Sequence, residues 1–145
     1  MSYNRGMVNI DVMYEGELHC TAVHGPSSSQ LSTDAPVDNH GRGASFSPTD
    51  LVATALGTCM ATVMGILARK ESFPIEGAKV HVGKEMTSSG PRRIARLPVK
   101  IQMPEKTHAL SAAARGALEN AANHCPVRLS LLDAIDVPVE FVWPA

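Results

Sequence analysis

The feature that most constrains the fold is a run of eighteen residues without a charge, from Leu51 to Ala68. A stretch of that length is at the lower limit for a membrane-spanning helix. The run nevertheless contains three threonines and two glycines, and it stands alone between segments of alternating polarity. We therefore expect the central helix of a soluble protein, buried on most sides, rather than a membrane span.

A capping pattern marks the start of this helix. Ser47 suits the N-cap position, Pro48 suits the first helical position, and Asp50 completes a capping box with Ser47. The helix is expected to continue to about Lys70, because the Ser-Phe-Pro sequence at residues 72–74 ends it.

Three segments of alternating polarity precede the helix and predict strands near residues 8–14, 18–22 and 30–33. The first strand is expected to be half-buried, and Cys20 on the second is expected to lie in the core. Residues 34–47 have no period and are rich in Gly, Pro and Asp, which predicts a long loop. Ordered loops of this length are usually functional or mobile.

A second series of elements follows the helix. Strands are predicted over 78–82 and 97–103, with Pro98 favouring an edge position or a bulge in the second of them. An alanine-rich helix over 108–123, a short helix from Pro126 and a closing strand over 135–141 complete the chain. The order β-β-β-α-β-β-α-α-β over residues 1–145 predicts a single α+β domain.

Composition limits the partners and the compartment. Thirteen basic and fourteen acidic side chains leave a net charge of -1, and only 4% of residues are aromatic, so binding to nucleic acid or to an anionic membrane is not expected. The three cysteines are an odd number, and the first residues contain no apolar run resembling a signal peptide. These features indicate a cytoplasmic protein whose thiols are free for chemistry.

Patterns for metals and nucleotides are missing from the sequence. There is no Cys-x-x-Cys or His-x-x-x-His pair, so no metal site is predicted. The Gly41-Arg42-Gly43 segment does not match a phosphate-binding loop, and we expect no cofactor.

Two cysteines remain as candidates for chemistry. Cys125 precedes Pro126, where unpaired N–H groups at a helix start would lower the thiol pKa and favour the nucleophilic thiolate. The alternative, a small residue buried at a helix junction, stays open at this point. Cys59 follows the apolar spacing of the long helix, and this pattern alone favours a core position.

The surroundings of these cysteines resemble a known family. The segments SPTDLVATALGTCM (47–60) and HCPV (124–127), together with the element order, resemble the OsmC/Ohr family of thiol peroxidases. The segment YEGELHCTAV and the later QLSTDAP resemble its OsmC-like branch. The resemblance covers nearly the whole chain and implies an intertwined homodimer with active sites at the subunit interface.

The resemblance also implies a reaction, the reduction of organic hydroperoxides in defence against oxidative stress. By motif, Cys59 would attack the peroxide and Cys125 would resolve the product as an intramolecular disulfide, which an oxidised cysteine can form before overoxidation. A lipoylated protein or another dithiol would be the reductant. The apolar helix face around Cys59, with Leu56 and Val63 as substrate-binding candidates, suits an organic peroxide.

One family residue is replaced in this chain. The family has an activating arginine and glutamate; Arg42 is the candidate for the arginine, and Thr49 stands where the glutamate is expected. Arg42 near the thiolate would favour its ionisation and bind the leaving oxygen, although an exposed loop cation is the alternative. The change at Thr49 keeps two other functions open: a redox-responsive protein, and a small-ligand binder without efficient peroxidase turnover.

Overall fold

The computed structural model describes residues 6–145. It forms two compact units, Met1–Leu51 and Val52–Ala145. The single domain over residues 1–145 stays a prediction.

The N-terminal unit contains one antiparallel sheet. Its strands β1 (Ile10–Gly16), β2 (His19–His24) and β3 (Gln30–Asp34) lie in the order β1-β2-β3, as the three alternating segments predict. A 3-10 turn at Val37–Asn39 follows within the predicted loop.

The exposure of this sheet differs from the prediction. Ile10, Val12 and Tyr14 in β1 are each at least 60% exposed, so the expectation of a half-buried strand was wrong. Cys20 is only partly buried and lies outside the hydrophobic core. The alternation correctly identifies an extended strand with an apolar face, but it carries no information about what covers that face.

Helix α1 (Pro48–Glu71) begins with the predicted capping box. The Ser47 N–H donates to Asp50 Oδ2 at 2.8 Å, and the Asp50 N–H donates to Ser47 Oγ at 3.1 Å. These two bonds satisfy donors that a helix start otherwise leaves without intrahelical partners.

One face of α1 is buried and the other is not. The buried residues recur every three or four positions: Ala53, Leu56, Gly57, Met60, Met64 and Ala68. On the opposite face, Thr54, Thr58 and Thr62 are exposed, and Ile66 is 65% exposed. By length and composition α1 is apolar enough to cross a membrane, a property that the core helix of a soluble protein shares. Burial on most sides, which the uncharged run predicts, is not seen within this chain.

After α1 the C-terminal unit contains five strands. These are β4 (Lys79–Val82), β5 (Glu85–Met86), β6 (Ile94–Arg96), β7 (Val99–Gln102) and β8 (Val139–Val142). The main sheet has the order β4-β7-β8, with β4 antiparallel and β8 parallel to β7, while β5 and β6 form a separate pair. A Cβ on Gly57 would lie 2.9 Å from Val82 Cγ2, so this glycine allows α1 to lie close to β4.

Pro98 accounts for the late start of β7. The strand predicted over residues 97–103 begins only at Val99, and the short pair β5 and β6 lies outside the predicted strands. Because β7 lies between two neighbours, it has no room for a residue that lacks an N–H, and Pro98 lies just before it. The Pro98 carbonyl instead accepts the N–H of Gly83 at 2.9 Å.

Two further helices complete the unit: α2 (Ala112–Asn123) and α3 (Pro126–Ser130). Helix α2 begins later than predicted because Ser111 caps it, and His108 belongs to a preceding 3-10 turn at Glu105–Ala109. The start of α3 at Pro126 is confirmed. Side chains from α1, β7, α2 and Cys125 share the same hydrophobic core.

Candidate active site

Cys125 is the N-cap of α3. Its Sγ accepts a hydrogen bond from the Arg128 N–H at 3.4 Å, and Pro126 occupies the first helical position. The residue is also 0% exposed. Cys125 is therefore a helix cap as predicted, and it is also the buried residue at a helix junction that the alternative describes.

The pKa of Cys125 shifts in the direction opposite to the one expected for a helix cap. Burial is the largest cause and raises the thiol pKa above its ordinary value of 9.0; the nearby Cys59 thiol raises it further. Hydrogen bonds from the N–H groups of Arg128 and Val127 oppose this rise without reversing it. The expected lowering was wrong because desolvation of a thiolate outweighs two N–H donors in an enclosed place. Cys125 is held as the neutral thiol.

Cys59 lies on α1, next to buried Met60 and partly exposed itself. Its thiol lies close enough to that of Cys125 to raise the Cys125 pKa. Two cysteines that are 66 residues apart in the sequence thus form a contact pair within the C-terminal unit. Cys59 is partly exposed and Cys125 is enclosed.

The two substrate-binding candidates differ in accessibility. Leu56 is 0% exposed and belongs to the core, whereas Val63 is partly buried and packs against that core. Only Val63 has surface that a bound molecule can contact without rearrangement of α1. A role in substrate binding stays a prediction for both residues.

Arg128 was not singled out in the sequence. Its backbone N–H is the donor to Cys125, and its Nη1 atom is buried without a hydrogen-bond partner in the part of the chain that the structure describes. The signal available was its place three residues after the candidate N-cap, the usual position for a capped N–H. Arg128 therefore belongs to the surroundings of the enclosed thiol.

Arg42 lies in the N-terminal unit, on the loop between β3 and α1. Its side chain is exposed, and its charge helps to lower the pKa of Asp34. The flanking glycines are required by the backbone: a Cβ on Gly41 would collide with the Ala35 carbonyl, and Gly43 has φ +63°. The action of Arg42 on Cys59 stays a prediction.

Thr49 lies at the start of α1, where its Oγ1 is 3.2 Å from Ser47 Oγ in a hydrogen bond. It belongs to the cap of the helix together with Asp50. No group of three or more His, Cys, Asp or Glu side chains suited to a metal ion occurs among residues 6–145.

Comparisons with known proteins identify the family and the fold of this chain. The family model for OsmC-like proteins matches residues 41–140. A solved structure from Psychrobacter arcticus, of a candidate osmotic stress induced and detoxification response protein, is 38% identical with a TM-score of 0.85, covering 96% of this chain and 98% of that chain. No curated protein matches.

Two more distant structures share the fold. An organic hydroperoxide resistance protein OsmC from Legionella pneumophila, described as a predicted redox protein, is 14% identical with a TM-score of 0.74, covering 94% of this chain and 97% of that chain. The organic hydroperoxide resistance protein OhrB of Bacillus subtilis is 15% identical with a TM-score of 0.65, covering 93% and 97%.

The family match spans more than half of the chain and includes both cysteines of the contact pair. The 38% identical structure extends the likeness to nearly all of it. The α+β fold agrees with that of the OsmC and Ohr structures. This chain belongs to the OsmC-like family.

Proposed function

We propose that this protein reduces organic hydroperoxides with a pair of cysteines, Cys59 as the attacking thiol and Cys125 as the resolving thiol. The observation that carries the proposal is the proximity of these two residues, with Cys59 partly exposed and Cys125 enclosed. Family membership supports it, since relatives of the same fold are named as organic hydroperoxide resistance proteins.

In the first step the Cys59 thiolate attacks the terminal oxygen of the hydroperoxide. The S–O bond forms as the O–O bond breaks, two electrons pass from sulfur to the peroxide, and the alkoxide leaves and takes a proton from solvent. Cys59 becomes a sulfenic acid and the product is an alcohol. Partial exposure of Cys59 supports this role, because the attacking sulfur must meet a molecule from outside.

In the second step the Cys125 sulfur attacks the sulfenic sulfur of Cys59. A disulfide forms, and the hydroxyl of the sulfenic acid leaves as water with the proton of the Cys125 thiol. A dithiol then reduces the disulfide by exchange and is itself oxidised. The effect of the Cys59 thiol on the pKa of Cys125 supports this step, because that effect requires the two side chains to be near each other.

The order of attack follows from the difference between the two thiols. Burial raises the pKa of Cys125, so at neutral pH it is a thiol and a poor nucleophile toward peroxide. Its complete burial also keeps a substrate away. Cys125 is therefore suited to react only after Cys59 has been oxidised beside it.

The substrate class follows from the apolar surroundings of Cys59. The exposed and partly exposed side of α1 bears no charge from Leu51 to Ala68, and Val63 adds apolar surface near Cys59. An alkyl or aryl hydroperoxide gains from contact with such a surface, whereas hydrogen peroxide does not. Arg42 is proposed to stabilise the Cys59 thiolate and the leaving oxygen, in a chain that has Thr49 in place of the family glutamate.

The proposed partners are a second copy of this chain and a dithiol reductant such as a lipoylated protein, in the cytoplasm. The exposed apolar side chains of β1 and the uncharged exposed face of α1 support the homodimer, because monomers rarely leave such surfaces uncovered. One chain has a mass of 15.4 kDa, and light scattering should give twice that mass. A stable monomer at micromolar concentration would contradict the dimer.

Turnover is the test of the proposed reaction. With cumene hydroperoxide and dihydrolipoamide, the protein should consume peroxide catalytically, and Cys59→Ser should lose this activity. Cys125→Ser should consume one equivalent of peroxide at most, because the sulfenic acid on Cys59 then has no resolving thiol. Cys20→Ser is the matched control and should keep the activity.

Two other outcomes would replace the peroxidase. Loss of two thiols per chain without turnover would favour a redox-responsive protein. Absence of any reaction between the thiols and the peroxide would favour a small-ligand binder.

A further inference from the structure

We propose that Asp34, held by His19, is a positioning residue that fixes the loop at residues 35–46 and with it the Arg42 guanidinium. The inference rests on the proposed function, in which Arg42 acts on the Cys59 thiolate. It adds Asp34 and His19 to the groups on which the reaction depends. Neither residue is a cysteine, and neither places a charge at the reacting atoms.

Asp34 is the centre of a hydrogen-bond network at the end of β3. Its Oδ1 accepts from His19 Nδ1 at 2.6 Å, and its Oδ2 accepts from the Ala44 N–H at 3.0 Å. Its own N–H donates to the Phe46 carbonyl at 3.1 Å. The residue itself is only 4% exposed, although the His19 side chain is 29% exposed. One side chain and its backbone thus join a strand to the far end of the loop.

The loop closes on itself around this centre. The Gly41 N–H donates to the Pro36 carbonyl at 3.0 Å, and the Gly43 N–H donates to the Ala35 carbonyl at 3.2 Å. These two bonds hold the backbone on both sides of Arg42, and glycine is needed there because no Cβ fits at Gly41 and Gly43 has a positive φ. Arg42 is therefore presented from a closed loop rather than from a loose connection.

His19 holds the carboxylate in place from the neighbouring strand. It lies directly opposite Asp34 in the register between β2 and β3. Its other ring nitrogen, Nε2, is 3.8 Å from Glu15 Oε2, so the ring lies between two carboxylates. The hydrogen bond from His19 is the main cause that lowers the pKa of Asp34, and Ala44 and Arg42 act in the same direction.

Arg42 is the one basic residue that this arrangement can orient. No other Lys or Arg occurs from residue 6 to residue 68. A guanidinium on a long exposed side chain loses orientational freedom when it acts, and a fixed backbone reduces that cost. Loss of the Asp34 anchor is therefore expected to weaken any action of Arg42 without removing its charge.

Trypsin provides a readout of the loop that does not depend on activity. Cleavage after Arg42 yields a fragment ending at that residue, separate from all others. Asp34→Asn should raise the rate of this cleavage by about tenfold, because the charged hydrogen bonds that close the loop are lost. His19→Asn should also raise the rate of cleavage after Arg42. It tests the role of Asp34 as the anchor of the loop if Asp34→Asn fails to fold. His24→Asn is the matched control, a histidine on the same strand whose partner is the exposed Ser27.

A double-mutant cycle tests whether Asp34 acts through Arg42. The measured quantity is the rate of Cys59 oxidation by cumene hydroperoxide under single-turnover conditions. Asp34→Asn should slow it by roughly threefold to tenfold in the wild-type background but by less than about twofold in Arg42→Ala. His24→Asn should leave the rate unchanged in both backgrounds.

The outcomes separate the inference from the function on which it rests. Unchanged cleavage after Arg42 in both Asp34→Asn and His19→Asn would overturn the anchor, whatever the activity. Equal slowing by Asp34→Asn in both backgrounds would show a general structural effect and overturn the positioning role. If Arg42→Ala alone leaves Cys59 oxidation unchanged, the proposed action of Arg42 fails, and the positioning role fails with it even where trypsin confirms the anchor.

Discussion

The two units of this chain are stabilised in different ways. In the described part of Met1–Leu51 the buried residues are all polar: Thr33, Asp34 and Ser47. Every buried hydrophobic residue, from Ala53 to Cys125, lies in Val52–Ala145. The first unit thus depends on directional hydrogen bonds, and the second depends on apolar burial.

The difference explains why the units shift the pKa of a buried group in opposite directions. In the first unit His19 and the Ala44 N–H stabilise the charged form of Asp34, and its pKa is lowered. In the second unit burial disfavours the charged form of Cys125, and its pKa is raised. The same chain therefore keeps one ionised anchor and one neutral thiol at neutral pH.

A core substitution should produce the largest effect. Ile101→Ala in β7 removes a side chain that is 0% exposed, and we expect it to lower the free energy of unfolding by about 2–5 kcal/mol. Lys100→Ala is the matched control on the same strand, with its side chain on the exposed face; it should change stability by less than about 0.5 kcal/mol. Equal losses in urea denaturation would contradict the assignment of the core.

Alkaline pH should weaken the second unit. Because the folded pKa of Cys125 is raised, its contribution is fully present below the ordinary pKa of 9.0 and is lost as pH rises beyond it. In reducing buffer, the difference in free energy of unfolding between wild type and Cys125→Ala should therefore be smaller above pH 9.0 than at pH 8. Urea midpoints across this range measure it, with Cys20→Ala as the control for loss of one thiol. A difference that stays constant would argue against an enclosed neutral thiol.

Acid pH should weaken the first unit, by a smaller amount than alkaline pH weakens the second unit. The folded pKa of Asp34 is lowered, so its contribution is present above the ordinary value of 3.8 and disappears as pH falls through the folded pKa. The difference between wild type and Asp34→Asn should shrink as pH falls below that value. Asp133→Asn, an exposed carboxylate, controls for the loss of one charge. If the difference grew toward low pH, the carboxylate would not be the anchoring form.

Local signals could be predicted from the sequence. The capping box of Ser47 and Asp50 and the helix start at Pro126 depend on residues within three positions of one another, and both are present as expected. The element order also follows from local periodicity, apart from the short pair β5 and β6, which was not predicted. Fold and family were accessible because their signals are short-range patterns in a fixed order.

Features that depend on distant residues could not be predicted. The bond between His19 and Asp34 requires the register of two strands. The pKa direction of Cys125 depends on how completely α1 and the core enclose it, which its place before Pro126 does not reveal. The exposure of β1 depends on whether another surface covers it, and the alternating polarity of β1 does not show whether one does.

The proposed reaction requires Cys59 and Cys125 to be close enough to form a disulfide, and the tryptic map of oxidised protein shows whether they are. Trypsin places the three cysteines on separate peptides, 6–42, 43–69 and 116–128. After one equivalent of cumene hydroperoxide and alkylation of the remaining thiols, mass spectrometry should find 43–69 joined to 116–128 by a disulfide, with Cys20 alkylated on 6–42. A disulfide to the peptide 6–42, or three alkylated cysteines with no link, would contradict the account.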